Sequence, residues 1–101
     1  MKSDKILQMD PIIHSQVRLA VLSILLSVKE ADFNTLKEMT KTTDGNLSTH
    51  LSKLEQAEYI RVKKRFKGKK PLTSCSMTEK GRKALSEYLK ILEEIIHLKK
   101  E

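Results

Sequence analysis

The stretch from Lys41 to Ile60, KTTDGNLSTHLSKLEQAEYI, reads as one amphipathic helix. Thr43 offers a hydroxyl to cap its start and Asp44 places negative charge in the first turn. Leu47, Leu51 and Leu54 recur at the i, i+4, i+7 spacing of a buried stripe. At about 100° per residue, the opposite face carries Gly45, Ser48, Thr49, Ser52, Lys53 and Gln56, with Asn46 and Glu55 on its flanks. This outer face is small, polar and nearly uncharged. A helix that meets only water usually carries Lys and Glu there, whereas short hydroxyl and amide side chains suit a helix lying against base edges and phosphates in a major groove.

Around this helix the charge is unevenly placed. The chain has 101 residues and a formal net charge of +7. Arg61, Lys63, Lys64, Arg65, Lys67, Lys69 and Lys70 follow directly on the helix without an acid among them, and removing these seven from the 20 basic residues leaves 13 against 13 acidic ones. The whole excess therefore sits in one segment bounded by strand-like sequence, and phosphate binding explains it better than a solvated charge run does.

That segment alternates. From Tyr59 to Phe66, Ile60 and Val62 intervene between Arg61, Lys63 and Arg65, the pattern of a half-buried strand. Lys67-Gly68-Lys69-Lys70-Pro71 supplies Gly for a positive φ and Pro as a breaker, and Leu72 to Met77 returns as a second strand with Thr73, Cys75 and Met77 on one face. The result is a basic-tipped β-hairpin.

On the N-terminal side, Met1 to Asp10 holds Ile6, Leu7 and Met9 in a polar background, as a short docking arm would. Asp10-Pro11 starts a turn of helix, and Ser15 can cap a longer helix to about Val28. The apolar residues from Val17 to Val28 cover more than one face of that helix, so part of it is expected to meet a partner chain. Ala31, Asp32 and Phe33 form a short strand. Asn34 or Asp32 then caps a helix to about Thr40 that turns Leu36 and Met39 inward, and Lys41-Thr42 is the turn into the next helix. A short helix, a tight turn and a polar-faced second helix make a helix-turn-helix.

Thr78 and Glu79 open the last helix, with Ala84, Leu85, Tyr88, Leu89, Leu92, Ile95 and Ile96 at helical spacing and Ile91 on another face. From Thr78 to Lys99 it would extend about 33 Å at about 1.5 Å per residue, beyond what a small core covers. A second subunit would cover the rest, the alternative being that the helix folds back along its own subunit's first long helix.

Composition excludes several classes. The length suits one compact domain, with 10–77 as helix-turn-helix and hairpin and 78–100 as a dimerisation helix. No apolar run reaches about 18 residues and no cleavage pattern marks the N-terminus, so a cytoplasmic location without a membrane span is expected. One cysteine, Cys75, allows no internal disulfide and reads as a small buried hydrophobe. His14, His50 and His97 are too scattered for a local metal motif, and no cofactor is expected. The hydroxyl-rich run Ser48, Thr49, His50, Ser52 lacks the Gly-flanked elbow of a serine hydrolase, so an enzyme is not expected. With 4% aromatic residues and no Trp, stacking on single strands has only Phe66 near the basic segment.

In this order the elements resemble the winged-helix transcriptional regulators of the MarR and ArsR type, in particular the small single-domain ones. The matching residues are Asp10-Pro11, Ile13-His14 and Arg18-Leu19, then Asp44 to Leu54, Tyr59-Ile60, Lys63 to Pro71, and Met77-Thr78-Glu79-Lys80-Gly81-Arg82. The resemblance covers nearly the whole chain. It implies a mainly α fold with a small β-hairpin, a winged helix-turn-helix with an additional long C-terminal helix, and a homodimer that binds operator DNA and regulates transcription. One departure stands out: similar proteins usually have Gly after the recognition helix, where this chain reads Gln56-Ala57-Glu58-Tyr59, which would put Glu58 in a left-handed position. The cysteine and histidine sets of metal-responsive relatives are missing, and an unidentified small-molecule effector stays open.

The candidate DNA-contacting residues are accordingly Thr43, Asp44, Gly45, Asn46, Ser48, Thr49, His50, Ser52 and Lys53 on the helix and Lys63, Lys64, Arg65, Lys67, Lys69 and Lys70 on the hairpin. His50 lies beside the leucine stripe, so a hydrogen-bonded structural histidine competes with a DNA contact. Gly45 either lets the backbone approach a phosphate or is simply tolerated. The candidate dimer contacts are Val21, Leu25, Tyr88, Leu89, Leu92, Ile95 and Ile96. The competing function is a winged-helix protein-interaction module without specific DNA binding, which would not need the seven-charge hairpin.

Overall fold

The computed structural model describes residues 2–98. In chain order they form a 3₁₀ turn over Lys2–Gln8, then α1 (Gln16–Ser27), β1 (Ala31–Asp32), α2 (Phe33–Thr40), α3 (Asp44–Gln56), β2 (Ile60–Lys67), β3 (Lys70–Met77) and α4 (Glu79–Leu98). The fold is a mostly helical winged helix with a C-terminal helix and a small antiparallel sheet. Met1 and the expected extension of the last helix to residue 99 or 100 lie outside the described residues.

Each helix starts where an oxygen-bearing side chain replaces the missing intrahelical acceptor. Ser15 Oγ accepts from the Arg18 N–H, Asp32 Oδ1 from Thr35 N–H at 2.8 Å, Thr43 Oγ1 from Asn46 N–H at 3.2 Å and Thr78 Oγ1 from Gly81 N–H at 2.9 Å. Of the two candidate caps for α2, Asp32 is the one used. Its use ends β1 after two residues, so Phe33 begins α2 instead of completing a strand.

Recognition-helix candidate α3 is shorter than the 41–60 stretch. It stops at Gln56 because Glu58 takes φ 65°, and the Tyr59 and Glu58 N–H groups turn back to the carbonyls of Leu54 and Glu55, both at 2.9 Å. A left-handed non-Gly residue costs about 1 kcal/mol. The corner is held from outside: the Thr78 hydroxyl donates to Glu58 O at 2.6 Å, and Thr78 N–H donates to Tyr59 O at 3.1 Å. Gly81 packs so tightly here that a Cβ would stand 2.1 Å from Tyr59 O, which requires glycine. Lys41 repeats the conformation at φ 54° between α2 and α3, making the helix-to-helix turn tight.

The sheet order is β1-β3-β2. Lys67 pairs with Lys70 across the two-residue loop Gly68-Lys69, where Gly68 supplies φ 66°. Pro71, expected as a breaker before the second strand, lies inside β3, opposite Phe66. Since the loop-closing pair is hydrogen-bonded, the next pair is not, so Pro71 has no ladder bond to donate toward β2. On its other side β1 reaches only as far as Ser74.

The core gathers Ile13, Val21, Leu22, Leu25, Leu36, Leu47, Leu51, Leu54, Ile60, Cys75, Leu85, Tyr88 and Ile91. Each buried large aliphatic contributes roughly 1.5–3 kcal/mol. Three expectations change here. Ile91 belongs to this core, not to another face, because α4 lies on it through the stripe 85, 88, 91 and 92 while Leu89 points outward. Met39 is exposed, since α2 ends one residue later and only Leu36 reaches inward. In the N-terminal arm Met9 is buried but Ile6 and Leu7 are exposed; the 3₁₀ turn packs along α4, with Lys5 3.1 Å from Glu94.

Candidate nucleic-acid interface

The outer face of α3 is open. Thr43, Asp44, Gly45, Asn46, Ser48, Thr49, Ser52 and Lys53 are all exposed, and Leu47, Leu51 and Leu54 are all buried. Several of the polar groups already have a task. Thr43 caps the helix, and Asp44 pairs with Lys37 at 2.7 Å, tying α3 to α2 and neutralising a charge that would repel a phosphate. Thr49 Oγ1 donates to Gly45 O at 3.0 Å, which leaves its acceptor lone pairs and methyl group for a ligand. A Cβ at Gly45 would meet nothing within 4 Å, so the fold itself gives no reason for glycine there.

His50 takes the structural role. Its Nδ1 lies 2.9 Å from Arg18 Nη1, and since a guanidinium only donates, Nδ1 accepts and the neutral ring carries its proton on Nε2. Burial, then the charges of Arg18 and Lys53, hold its pKa below the usual 6.5. Arg18 itself is only 8% exposed and also donates to the carbonyls of Ile12 and Pro11. It is the binding-region residue whose importance a sequence reading misses. The signal that could have found it is a lone cation on the helical face that carries Val21, Leu22 and Leu25.

The hairpin divides the basic residues between two faces. Val62, Lys64 and Phe66 share one face by strand alternation, and Arg61, Lys63, Arg65 and Lys67 the other. Lys64, with Thr73, Ser48, Ser52 and Glu55, lines a cleft of about 290 Å³ between the sheet and α3. Arg65 is not free for a phosphate. Its guanidinium holds the Glu30 carboxylate, 2.7 Å to Oε2, and reaches Ser74 Oγ at 3.3 Å, bracing the hairpin against the start of β1. Lys63, Lys67, Lys69 and Lys70 remain exposed. The Asp32 carboxyl is held below its usual range mainly by the Thr35 backbone N–H, with the charge of Lys67 as a lesser cause.

Other candidates are redistributed. Val21 and Leu25 are fully buried in the subunit's own core and Tyr88 nearly so, its hydroxyl 3.0 Å from His14 Nδ1; none of the three has surface to offer a partner. Leu89 and Ile96 are 44% and 54% exposed, and Leu92 and Ile95 are half-buried. Burial pushes the Cys75 thiol up to about 11, with the Glu55 charge adding to it, so the thiol stays protonated and unreactive. Burial and a hydrogen bond donated to Asp10 raise Tyr59 to about 12. Among the described residues no group of three or more His, Cys, Asp or Glu side chains could hold a metal ion, and no helix is long and apolar enough to cross a membrane.

Residues 17–96 match the family of winged helix DNA-binding domains. An uncharacterised protein of Methanocaldococcus jannaschii is 38% identical over 78 residues, 77% of this chain and 85% of the relative. The transcriptional regulator homologue from Pyrococcus horikoshii OT3 superposes with a TM-score of 0.85 at 26% identity, over 96% of both chains. A MarR family transcriptional regulator from Silicibacter pomeroyi shares the fold at 17% identity and a TM-score of 0.64, over 95% of this chain and 62% of its own. With a helix-turn-helix, a basic hairpin and this family match over most of its length, the chain belongs to the winged helix DNA-binding domain family, with the architecture of MarR-type regulators.

Proposed function

We propose that the chain is a transcriptional regulator that binds double-stranded DNA in a sequence-dependent manner as a two-fold dimer. Residues 10–77 form the DNA-reading unit. The outer face of α3 enters the major groove, where Asn46, Ser48, Thr49 and Ser52 meet base edges, and Lys63, Lys64, Lys67, Lys69 and Lys70 meet the phosphates beside it. The helix from 78 onward pairs two subunits through Leu89, Leu92, Ile95 and Ile96. The observation that carries this reading is an open cleft with Ser48, Ser52 and Glu55 of α3 on one side and Lys64 of the hairpin on the other, continuous with an exposed α3 face of short polar side chains.

Selection of bound sequences from a random duplex pool tests it, read with titrations over a range of salt. The expected result is an inverted repeat with half-sites about 10 bp apart, as two recognition helices related by a two-fold axis require. Replacing Lys67, Lys69 and Lys70 with Ala should weaken binding to all duplexes alike and flatten the log-log salt slope by about 0.9 for each phosphate no longer neutralised. An unchanged slope would remove the hairpin from the DNA. A selected site without symmetry, or a wild type that scatters light as a monomer, would remove the dimer. A protein that binds no duplex at low salt would be an interaction module instead.

A further inference from the structure

Phe66 is the hairpin residue for which phosphate binding has no use. It is 73% exposed, a large apolar ring in a run from Arg61 to Lys70 that contains no acid. It also stands on a stiff support. Its cross-strand partner is Pro71, in a pair without ladder hydrogen bonds, where side chains approach most closely, and the two-residue loop at Gly68 closes the hairpin one pair further on.

The direction of the ring follows from alternation. Phe66 shares the face of Lys64, which lines the cleft beside Ser48 and Ser52 of α3, and lies about 7 Å beyond it at about 3.4 Å per residue. From Val62, at the sheet's contact with the core, to Phe66 is about 14 Å by the same rise. Half a turn of B-DNA, the step from a major groove to the neighbouring minor groove, is about 17 Å. A ligand that takes this surface must be apolar under the ring, anionic around it and continuous with whatever lies on α3. A duplex meets all three conditions.

We infer that Phe66, backed by Pro71, enters the minor groove next to the one α3 occupies and wedges against a base step, bending the duplex toward the major groove. This rests on the DNA-binding reading above. The wedge makes Phe66 a determinant of which operators are chosen, because flexible pyrimidine–purine steps open more readily than stiff A-tracts.

Energy transfer between dyes on the two ends of a selected duplex of about 30 bp tests the wedge, with 2-aminopurine placed along it to report unstacking. Wild-type protein should bring the ends closer and brighten the probe at one step. Phe66→Ala should return most of the end-to-end distance, quench the probe and weaken binding about tenfold at an unchanged salt slope, while Phe66→Leu, still an apolar wedge, should keep the bend. Equal bending by wild type and Phe66→Ala, or a straight duplex with both, would overturn the inference and leave DNA binding intact. No binding of the duplex by wild type even at low salt would overturn both.

Discussion

The two flanks of α3 are built on opposite plans. Toward α1 the fold has already engaged its polar groups: Arg18, nearly buried, ties His50 to the carbonyls of Ile12 and Pro11 at the floor of a pocket that Lys53 and Gln56 border. Toward the hairpin, Ser48, Ser52 and Lys64 line an open cleft beside the sheet. Buried polar groups must be paired because water is gone, so the Arg18 guanidinium holds the fold. Exposed hydroxyls lose nothing by staying hydrated, so the cleft can wait for a ligand.

That contrast breaks most sharply at Arg18. Arg18→Ala should lower unfolding free energy by about 3 kcal/mol, because two carbonyls and an imidazole lose a charged donor together. Urea denaturation checks this, and a loss below about 1 kcal/mol would mean that the Arg18 hydrogen bonds do not hold the flank in solution. Next in size, Ser52→Ala should leave stability within about 0.5 kcal/mol of wild type and reduce the operator-to-random affinity ratio by roughly 1–3 kcal/mol. Equal losses on both DNAs would deny that the open flank reads sequence.

The smallest effect is a pH dependence. His50 titrates below 6.5 in the folded protein and near 6.5 in the unfolded chain. Protons therefore bind the unfolded state more readily, so the stability contributed by neutral His50 is complete above about 6.5 and is lost as pH falls through the lowered folded value. Lys53 and Arg18 are the charges that face it. His50→Gln can still accept from Arg18 through its amide oxygen and does not titrate. Thermal unfolding of both proteins between about pH 7.5 and pH 5 should show a wild-type decline that the variant lacks; parallel curves would place the titration elsewhere.

Much of the fold is legible in residue order. Leu47, Leu51 and Leu54 can only be an inward stripe, Thr43 and Ser15 can only gain by capping, and Gly68 between alternating strands marks a hairpin tip, because each rests on interactions within a few residues. The polar outer face of α3 follows from the same periodicity. The left-handed Glu58 is also visible as a glycine position without its glycine, although what holds it, the Thr78 hydroxyl 20 residues further along and the close packing of Gly81 beyond that, comes from elsewhere in the chain.

Tertiary structure decided the rest, where a residue's surroundings come from elsewhere in the chain. Periodicity shows that α1 has excess apolar surface but not which side its neighbours cover, so Val21 and Leu25 went to the core and out of reach of a partner. It shows a run of cations but not their partners, so Arg65 turned to Glu30 and left the remaining lysines at the surface. It shows a histidine beside the leucines but not the guanidinium, 32 positions earlier, that fixes its tautomer. Local patterns determine which elements form and which face is apolar; only the packed chain determines which polar groups are already satisfied, and so which are left to bind.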